Sequence, residues 1–276
     1  QLKLRSTIAA FANPKSSTGR LDVFTRMIAD RQERFDAVEE GYEGPLFAEI
    51  CPRSFSIKVH YGSRLNQIRF LRRVLQQHDA EEHPGRVTDR RLKQIHSDVG
   101  LVEGDAAIRE GLKLSVNLTP APPSGIVGYR ARRYAGVVDL DEGGAYDVDQ
   151  FWERVHVGED RRLVLDPNEF YILASKESVS VPPEYVAEMA PFDPLIGEYR
   201  VHYAGFFDPG FGHGPAGGHG SRAVLEVRSH EVPFILEHGQ IVGRLVYEKM
   251  LARPDKLYGQ GIGSNYQAQS LKLSKH

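Results

Sequence analysis

Apolar positions along the chain come in short runs, and glycine or proline punctuates most of the gaps between them. In Phe55-Ser56-Ile57-Lys58-Val59 apolar and polar residues alternate strictly, the two-residue period of a strand with one buried face. Leu46-Phe47-Ala48-Glu49-Ile50, the run Leu21 to Ala29, and Leu65 to Phe70 read as further strands. Later strands are expected near 126–140, 163–182 and 200–207, and over Ala223–Arg228 and Gln240–Met250. Pro182-Pro183 ahead of Glu184-Tyr185-Val186-Ala187-Glu188-Met189 predicts one short helix, because a first turn tolerates proline. Residues 71–96 are densely charged and read as a surface loop or short helix. Phe151-Trp152 reads as core. Short strands, many turns and little helix predict a mostly β protein.

A repeat organises the chain. The spacing from Glu49 to Gly62 equals that from Glu226 to Gly239, and Gly62 to Phe70 equals Gly239 to Tyr247. One β unit therefore occurs twice. With Pro120-Ala121-Pro122-Pro123-Ser124-Gly125 as linker, the first copy spans 1–120 and the second 125–276. Far fewer residues precede Glu49 than separate Gly125 from Glu226, so the first copy is expected to lack its opening strands. The chain also begins with Gln1 rather than Met, and the parent protein is expected to start earlier.

Composition narrows the function. Lys+Arg total 35 against Asp+Glu 37 over 276 residues, a net charge of −2. That balance lacks the basic excess of a general nucleic-acid binder, though a local cluster of donors could still hold a small phosphorylated ligand. Hydrophobic residues make up 41% and charged ones 26%, which fits a folded globular chain. The single cysteine, Cys51, excludes a disulfide scaffold and a cysteine-based zinc site, and fits a reducing, cytoplasmic setting. No apolar run is long enough for a membrane span.

Three features could carry chemistry. Lys15-Ser16-Ser17-Thr18-Gly19-Arg20 gathers two cations, three hydroxyls and a glycine. Such a turn suits an oxyanion-rich ligand, which arginine grips in a fork; a solvated turn is the plain alternative. Glu49 sits among apolar neighbours on a strand. Held in a pocket it could shuttle protons; otherwise it is an outward strand residue, and Glu226 takes its place in the second copy. The tail from Tyr258 through Tyr266, Gln269 and Lys272 is glycine-rich, then polar and basic. It reads as a flap over a ligand or as a frayed end. His213 and His219, with Asp208, match no standard zinc spacing, and no metal ligand is assigned. Cys51, beside Pro52, reads as structural.

These residues resemble the dCTP deaminase family of the dUTPase-like superfamily. Lys15-Ser16-Ser17-Thr18-Gly19-Arg20 is similar to its Arg-Ser-Ser-x-x-Arg motif. Ala29, nine residues after Arg20, fits its small residue beside the base. Gly41-Tyr42-Glu43-Gly44-Pro45-Leu46-Phe47-Ala48-Glu49 looks like the segment that ends in its catalytic glutamate. Later stretches, including Leu165–Glu169, Glu177–Pro182, Asp208–Phe211 and Val232–Gly243, follow in family order, and the two copies resemble its duplicated bacterial form. The second copy departs from the pattern. It carries Pro191-Phe192-Asp193-Pro194-Leu195 where the serine motif should fall, and the tail has Asn265 at the basic position.

The resemblance implies a duplicated, distorted jelly roll (β-clip) assembled as homotrimers, with sites between subunits. It implies zinc-independent deamination of dCTP to dUTP, with Mg²⁺ carried on the triphosphate. Glu49, Ser16, Arg20 and Ala29 would be catalytic. Lys15, Ser17, Thr18, Gly19, Phe47, Ala48, Tyr258, Tyr266, Gln269 and Lys272 would bind substrate. Neither nucleic acid nor membrane is an expected partner. A dUTPase would need an aspartate such as Asp30, which falls early for that family. A bifunctional enzyme making dUMP and a degenerate nucleotide-binding regulator complete the alternatives.

Overall fold

A computed structural model of the chain describes residues 1–72, 85–144, 146–191, 199–202, 205–214, 220–259 and 271–276, with backbone alone at 191 and 199–202. Strands dominate it, as the short alternating runs predict. The three helices among the described residues are Ser16–Gly19, Asp89–Val99 and Val148–Phe151. None of them is long and apolar enough to cross a membrane. The chain forms two compact units: Gln1–Pro84 with Tyr134–Tyr146 and His276, and Gly85–Arg133 with Asp147–Lys275.

In the first unit, Ile8–Pro14 pairs antiparallel with Asn66–Arg72 on one side and Ala37–Val38 on the other. Val23–Ala29 pairs with Leu46–Pro52 in a two-stranded ribbon. Along Val23–Ala29 burial alternates, with Val23, Thr25, Met27 and Ala29 turned inward, the pattern of a strand that offers one face to a core. Met27 and Ala29 meet Ala10, Ala12, Val38 and Tyr42 in a small apolar cluster.

The second unit is larger. A five-stranded sheet runs in the order Trp152–Val155, Gly128–Ala131, Phe170–Val179, Ser221–Ser229, Tyr199–His202. A four-stranded sheet runs Phe206–Phe207, Tyr185–Pro191, Ile241–Lys249, Leu112–Ser115. Leu173, Leu225 and Val227 of the first sheet join Met189, Leu245 and Tyr247 of the second in one core. Phe151 and Trp152 are buried, as expected.

Two expectations are corrected. Residues 85–120 fold with the second unit, so the division falls near residue 85 and not in the proline-rich turn. The charged segment hides an amphipathic helix, Asp89–Val99, whose Thr88 hydroxyl caps it by accepting the Arg91 N–H. Leu92 and Ile95, three residues apart on one face, seat that helix in the second unit's core. Two apolar residues among many charges carry the docking, and composition alone conceals them. The helix expected at Glu184–Met189 is a strand. Tyr185–Pro191 pairs rung by rung with Ile241–Lys249 and buries Tyr185, Val186, Ala187 and Met189. Tertiary pairing overrides the local proline signal.

The repeat holds at the level of hydrogen-bond register. The seven rungs from Ile8↔Arg72 to Pro14↔Asn66 recur, at the same offset, as Tyr185↔Lys249 to Pro191↔Gly243. Their flanks differ. Ser221–Ser229 lies between Phe170–Val179 and Tyr199–His202, whereas its counterpart Leu46–Pro52 pairs, among the described residues, with Val23–Ala29 alone. Exposure follows pairing. Ile50 is 40% exposed and Phe70 54%, while the matching Val227 and Tyr247 are 0% and 1%.

Candidate active site

The hydroxyl-rich turn is built rather than solvated. The chain leaves Ile8–Pro14 with Lys15 extended and makes one helical turn, Ser16–Gly19. The Leu65 carbonyl accepts both the Lys15 N–H (2.8 Å) and the Thr18 hydroxyl (2.9 Å), which ties the turn to the opposite strand. The Arg20 N–H closes it on the Ser16 carbonyl (3.0 Å). Ser17, Thr18 and Gly19 are buried, Lys15 and Ser16 half-buried, and Arg20 is only 3% exposed. Beyond it, Asp22 accepts the Ser54 hydroxyl at 2.7 Å and, through its carbonyl, the Arg53 N–H at 3.0 Å. Thr18 thus spends its hydroxyl proton on the turn's shape, and Ser16 and Lys15 are the turn residues nearest solvent.

The Gly-Tyr-x-Gly stretch has a local reason. The Tyr42 ring folds back over Gly44, where a Cβ would lie 2.6 Å from its hydroxyl oxygen. That hydroxyl donates to the Pro45 carbonyl and accepts the Asp30 N–H at 3.0 Å. One side chain thereby ties the start of Leu46–Pro52 to the end of Val23–Ala29, and glycine is the residue that leaves it room. Ala29, buried opposite Leu46, gives its carbonyl to the Gln32 N–H at 3.3 Å.

Glu49 lies on the outward ribbon strand, directly opposite Arg26. The Arg26 Nε stands 3.7 Å from its carboxylate, and both side chains are roughly half-exposed. The guanidinium sits over Phe24 (4.5 Å to the ring centre) and Phe35 (4.7 Å). Asp36 accepts the Met27 N–H at 2.7 Å. Burial pushes its carboxyl above the ordinary value, opposed by that N–H and by the charge of Arg26. Phe47 and Ala48 are exposed on the same strand, and so is Cys51, which was expected to be structural. Three rungs separate Glu49 from the Val23↔Pro52 end of the ribbon where the serine turn begins, about 10 Å at ~3.3 Å per residue. Arg26 is the residue that motif reading missed. Cross-strand partners depend on turn length, and the sequence carries no period that reveals them.

Tyr258 belongs to the second unit, its ring 5.6 Å from Phe211 and its N–H donating to the Pro209 carbonyl (2.8 Å). Lys272 is exposed. Tyr266, Gln269, Asn265, His219 and Phe192-Asp193-Pro194-Leu195 lie outside the described residues. His213 shares a hydrogen bond with Ser180 at 3.3 Å. Glu226, the counterpart of Glu49, is buried between two strands.

Among the described residues, one cluster has metal-ligand character: His60, Asp139 and Asp141. Its carboxylates already have cationic and hydroxyl partners. The Asp139 Oδ2 meets His60 Nε2 at 2.9 Å and Lys58 Nζ at 3.0 Å, and Ser63 donates to Asp141 at 2.5 Å. This is a clasp that fastens Val137–Asp139 to its parallel partner Ser56–Lys58.

The family described as "2'-deoxycytidine 5'-triphosphate deaminase (DCD), C-terminal domain" matches residues 88–276, and the corresponding N-terminal domain family matches residues 1–74. The interval between them brackets the boundary of the two units. The chain is 29% identical over 175 residues to a Halobacterium salinarum protein named "dCTP deaminase, dUMP-forming", spanning 61% of this chain and 85% of that one. To a "dCTP deaminase" of Natronomonas pharaonis it is 26% identical over 175 residues, covering 62% and 86%. The crystal structure of 2'-deoxycytidine 5'-triphosphate deaminase from Agrobacterium tumefaciens superposes with a TM-score of 0.84 at 53% identity, over 91% of this chain and 72% of that one.

Proposed function

Because the chain belongs to the 2'-deoxycytidine 5'-triphosphate deaminase family and has its dUTPase-like fold, we propose that it hydrolyses dCTP to dUTP and ammonia. The observation that carries this reading is the ribbon itself. It presents an outward glutamate and leads directly into a buried, pre-ordered turn of serines and arginine.

In the proposed reaction Glu49 takes a proton from water as the water oxygen bonds to C4 of the cytosine, and delivers it to N3. A further proton transfer converts the exocyclic amine to ammonia, and the C4–N bond breaks as the C4 carbonyl forms. One water is consumed and one ammonia released. Ser16 and Arg20 order the water and the amine. The backbone of Ala29 faces the base, flanked by Phe47 and Ala48. Lys15, Ser17 and Gly19 hold the triphosphate. Mg²⁺ enters as part of the substrate, bound to the phosphates. We place the complete site between copies in a homotrimer. The supporting observation is that Phe47 and Ile50 stand uncovered on Glu49's strand and Phe70 stands uncovered on Asn66–Arg72.

A second reading has its own support: the Halobacterium relative is named dUMP-forming. One experiment tests both. Purified protein is incubated with dCTP and Mg²⁺ and the nucleotides are resolved over time. Accumulating dUTP supports deamination alone, dUMP without free dUTP supports the bifunctional enzyme, and unchanged dCTP refutes both. Glu49→Gln keeps the carboxamide's shape but cannot carry the proton, so it should bind dCTP and lose turnover. Glu226→Gln, in the second copy, should retain it.

A further inference from the structure

The second unit contains a pocket of about 410 Å³, within the usual range for small ligands, that the reaction above does not use. Pro120, Pro122 and Ile126 form an apolar wall, and Lys176, Arg222 and His238 line its polar side. We propose that this pocket binds a small organic anion, a phosphate or carboxylate head on an apolar body, with the head held by Lys176, Arg222 and His238.

The backbone aims these groups. Pairing between Phe170–Val179 and Ser221–Ser229 slips between Ala174 and Ser178, and Lys176 sits within that irregularity. Such bulges turn a side chain out of the ladder. The Leu118 N–H donates to His238 Nδ1 at 3.1 Å. Nδ1 is therefore the acceptor, and the imidazole offers Nε2–H as a donor. Burial and the charges of Arg161, Lys176 and Arg222 hold this histidine below its ordinary pKa, with Glu177 opposing them. Glu177, however, is engaged elsewhere. Its two oxygens accept the Ser115 N–H (2.8 Å) and hydroxyl (2.6 Å). The polar side of the pocket keeps a positive field that an anion would satisfy.

This is not the second copy's version of the candidate active site. At the repeat offset Arg222 matches Pro45 and His238 matches Tyr61, neither of which is a basic residue. An adjoining cavity of about 580 Å³ shares His238, but its Arg162 pairs with Glu237 at 2.9 Å.

The test uses the full chain labelled with ¹³C-histidine, titrated at neutral pH and low salt with phenyl phosphate, benzoate and, as the neutral control, benzyl alcohol. At least one anion should bind saturably and shift one ring C2–H resonance, identified as His238 by its loss in His238→Gln. Benzyl alcohol should leave that resonance in place. Whichever anion binds identifies the head group. Lys176→Gln should weaken binding at least fivefold while dCTP turnover persists, and Ser16→Ala should leave anion binding unchanged. The proposal is overturned if neither anion saturates, if Lys176→Gln binds like the parent protein, or if binding disappears with Ser16→Ala. The last outcome would move the anion to the catalytic turn and leave the deaminase reading intact.

Discussion

In the proposed reaction Glu49 gains and then gives up a proton in each turnover, which needs a fixed direction, and it rests on an exposed strand with little packing to hold it. Arg26 supplies the constraint from across the ribbon, its own plane set by Phe24 and Phe35. Guanidinium stacks on aromatic faces as lysine's ammonium does not. Arg26→Met should lower kcat roughly tenfold, about 1.4 kcal/mol of lost orientation, with KM nearly unchanged. Its effect on stability should stay within about 1 kcal/mol because the pair is exposed. Arg26→Lys should recover little of the rate. Steady-state kinetics with a thermal-melt control checks both. Arg20→Ala removes a buried cation, and steady-state kinetics should show it costing catalysis about 2–4 kcal/mol. At this scale the sequence exposes the motif residues, because their chemistry is unusual in a short span. It conceals Arg26 and His238, whose proposed roles come from neighbours brought in by pairing.

The clasp at Asp139 shows how an element far along the chain is fastened. The His60 imidazole, the Asp141 N–H and the Lys58 ammonium hold the Asp139 carboxyl far below its ordinary value of 3.8. A carboxyl lowered on folding stabilises the folded state above that ordinary value and loses its contribution as pH falls below it. Asp139→Asn should therefore lower the melting temperature at neutral pH, and the gap to the parent protein should narrow as pH drops below about 4. Melting curves across that range decide it. Elements were legible where short apolar runs stand between turn residues: Leu46–Pro52, Asn66–Arg72, Ser221–Ser229 and Ile241–Lys249 all lie where those runs put them. The pattern failed at Tyr185–Pro191, where a neighbouring strand outweighs a proline signal. At Asp89–Val99 it left loop and short helix open, and the buried Leu92 and Ile95 decide for the helix.

For the molecule as a whole, the repeat was readable from spacing, but its unequal surroundings were not, because burial depends on which strands flank each copy. Large side chains that are buried in one copy stand open in the other. Sedimentation of the purified protein should give a species near three times the 30.9 kDa chain. Phe70→Glu should shift it toward the monomer, since a charge there would have to be desolvated against a partner. A single-chain mass at micromolar concentration would remove the trimer from the proposal.

The matched register also turns the molecule into its own reference standard. Ile68 and Leu245 occupy the same rung, opposite Ala12 and Met189. In the proposed homotrimer, glutamate placed at each in turn would compare, within one polypeptide, Leu245, enclosed by its own fold, with Ile68, enclosed only on assembly. Diluting the protein should change the penalty at Ile68 and leave that at Leu245 untouched.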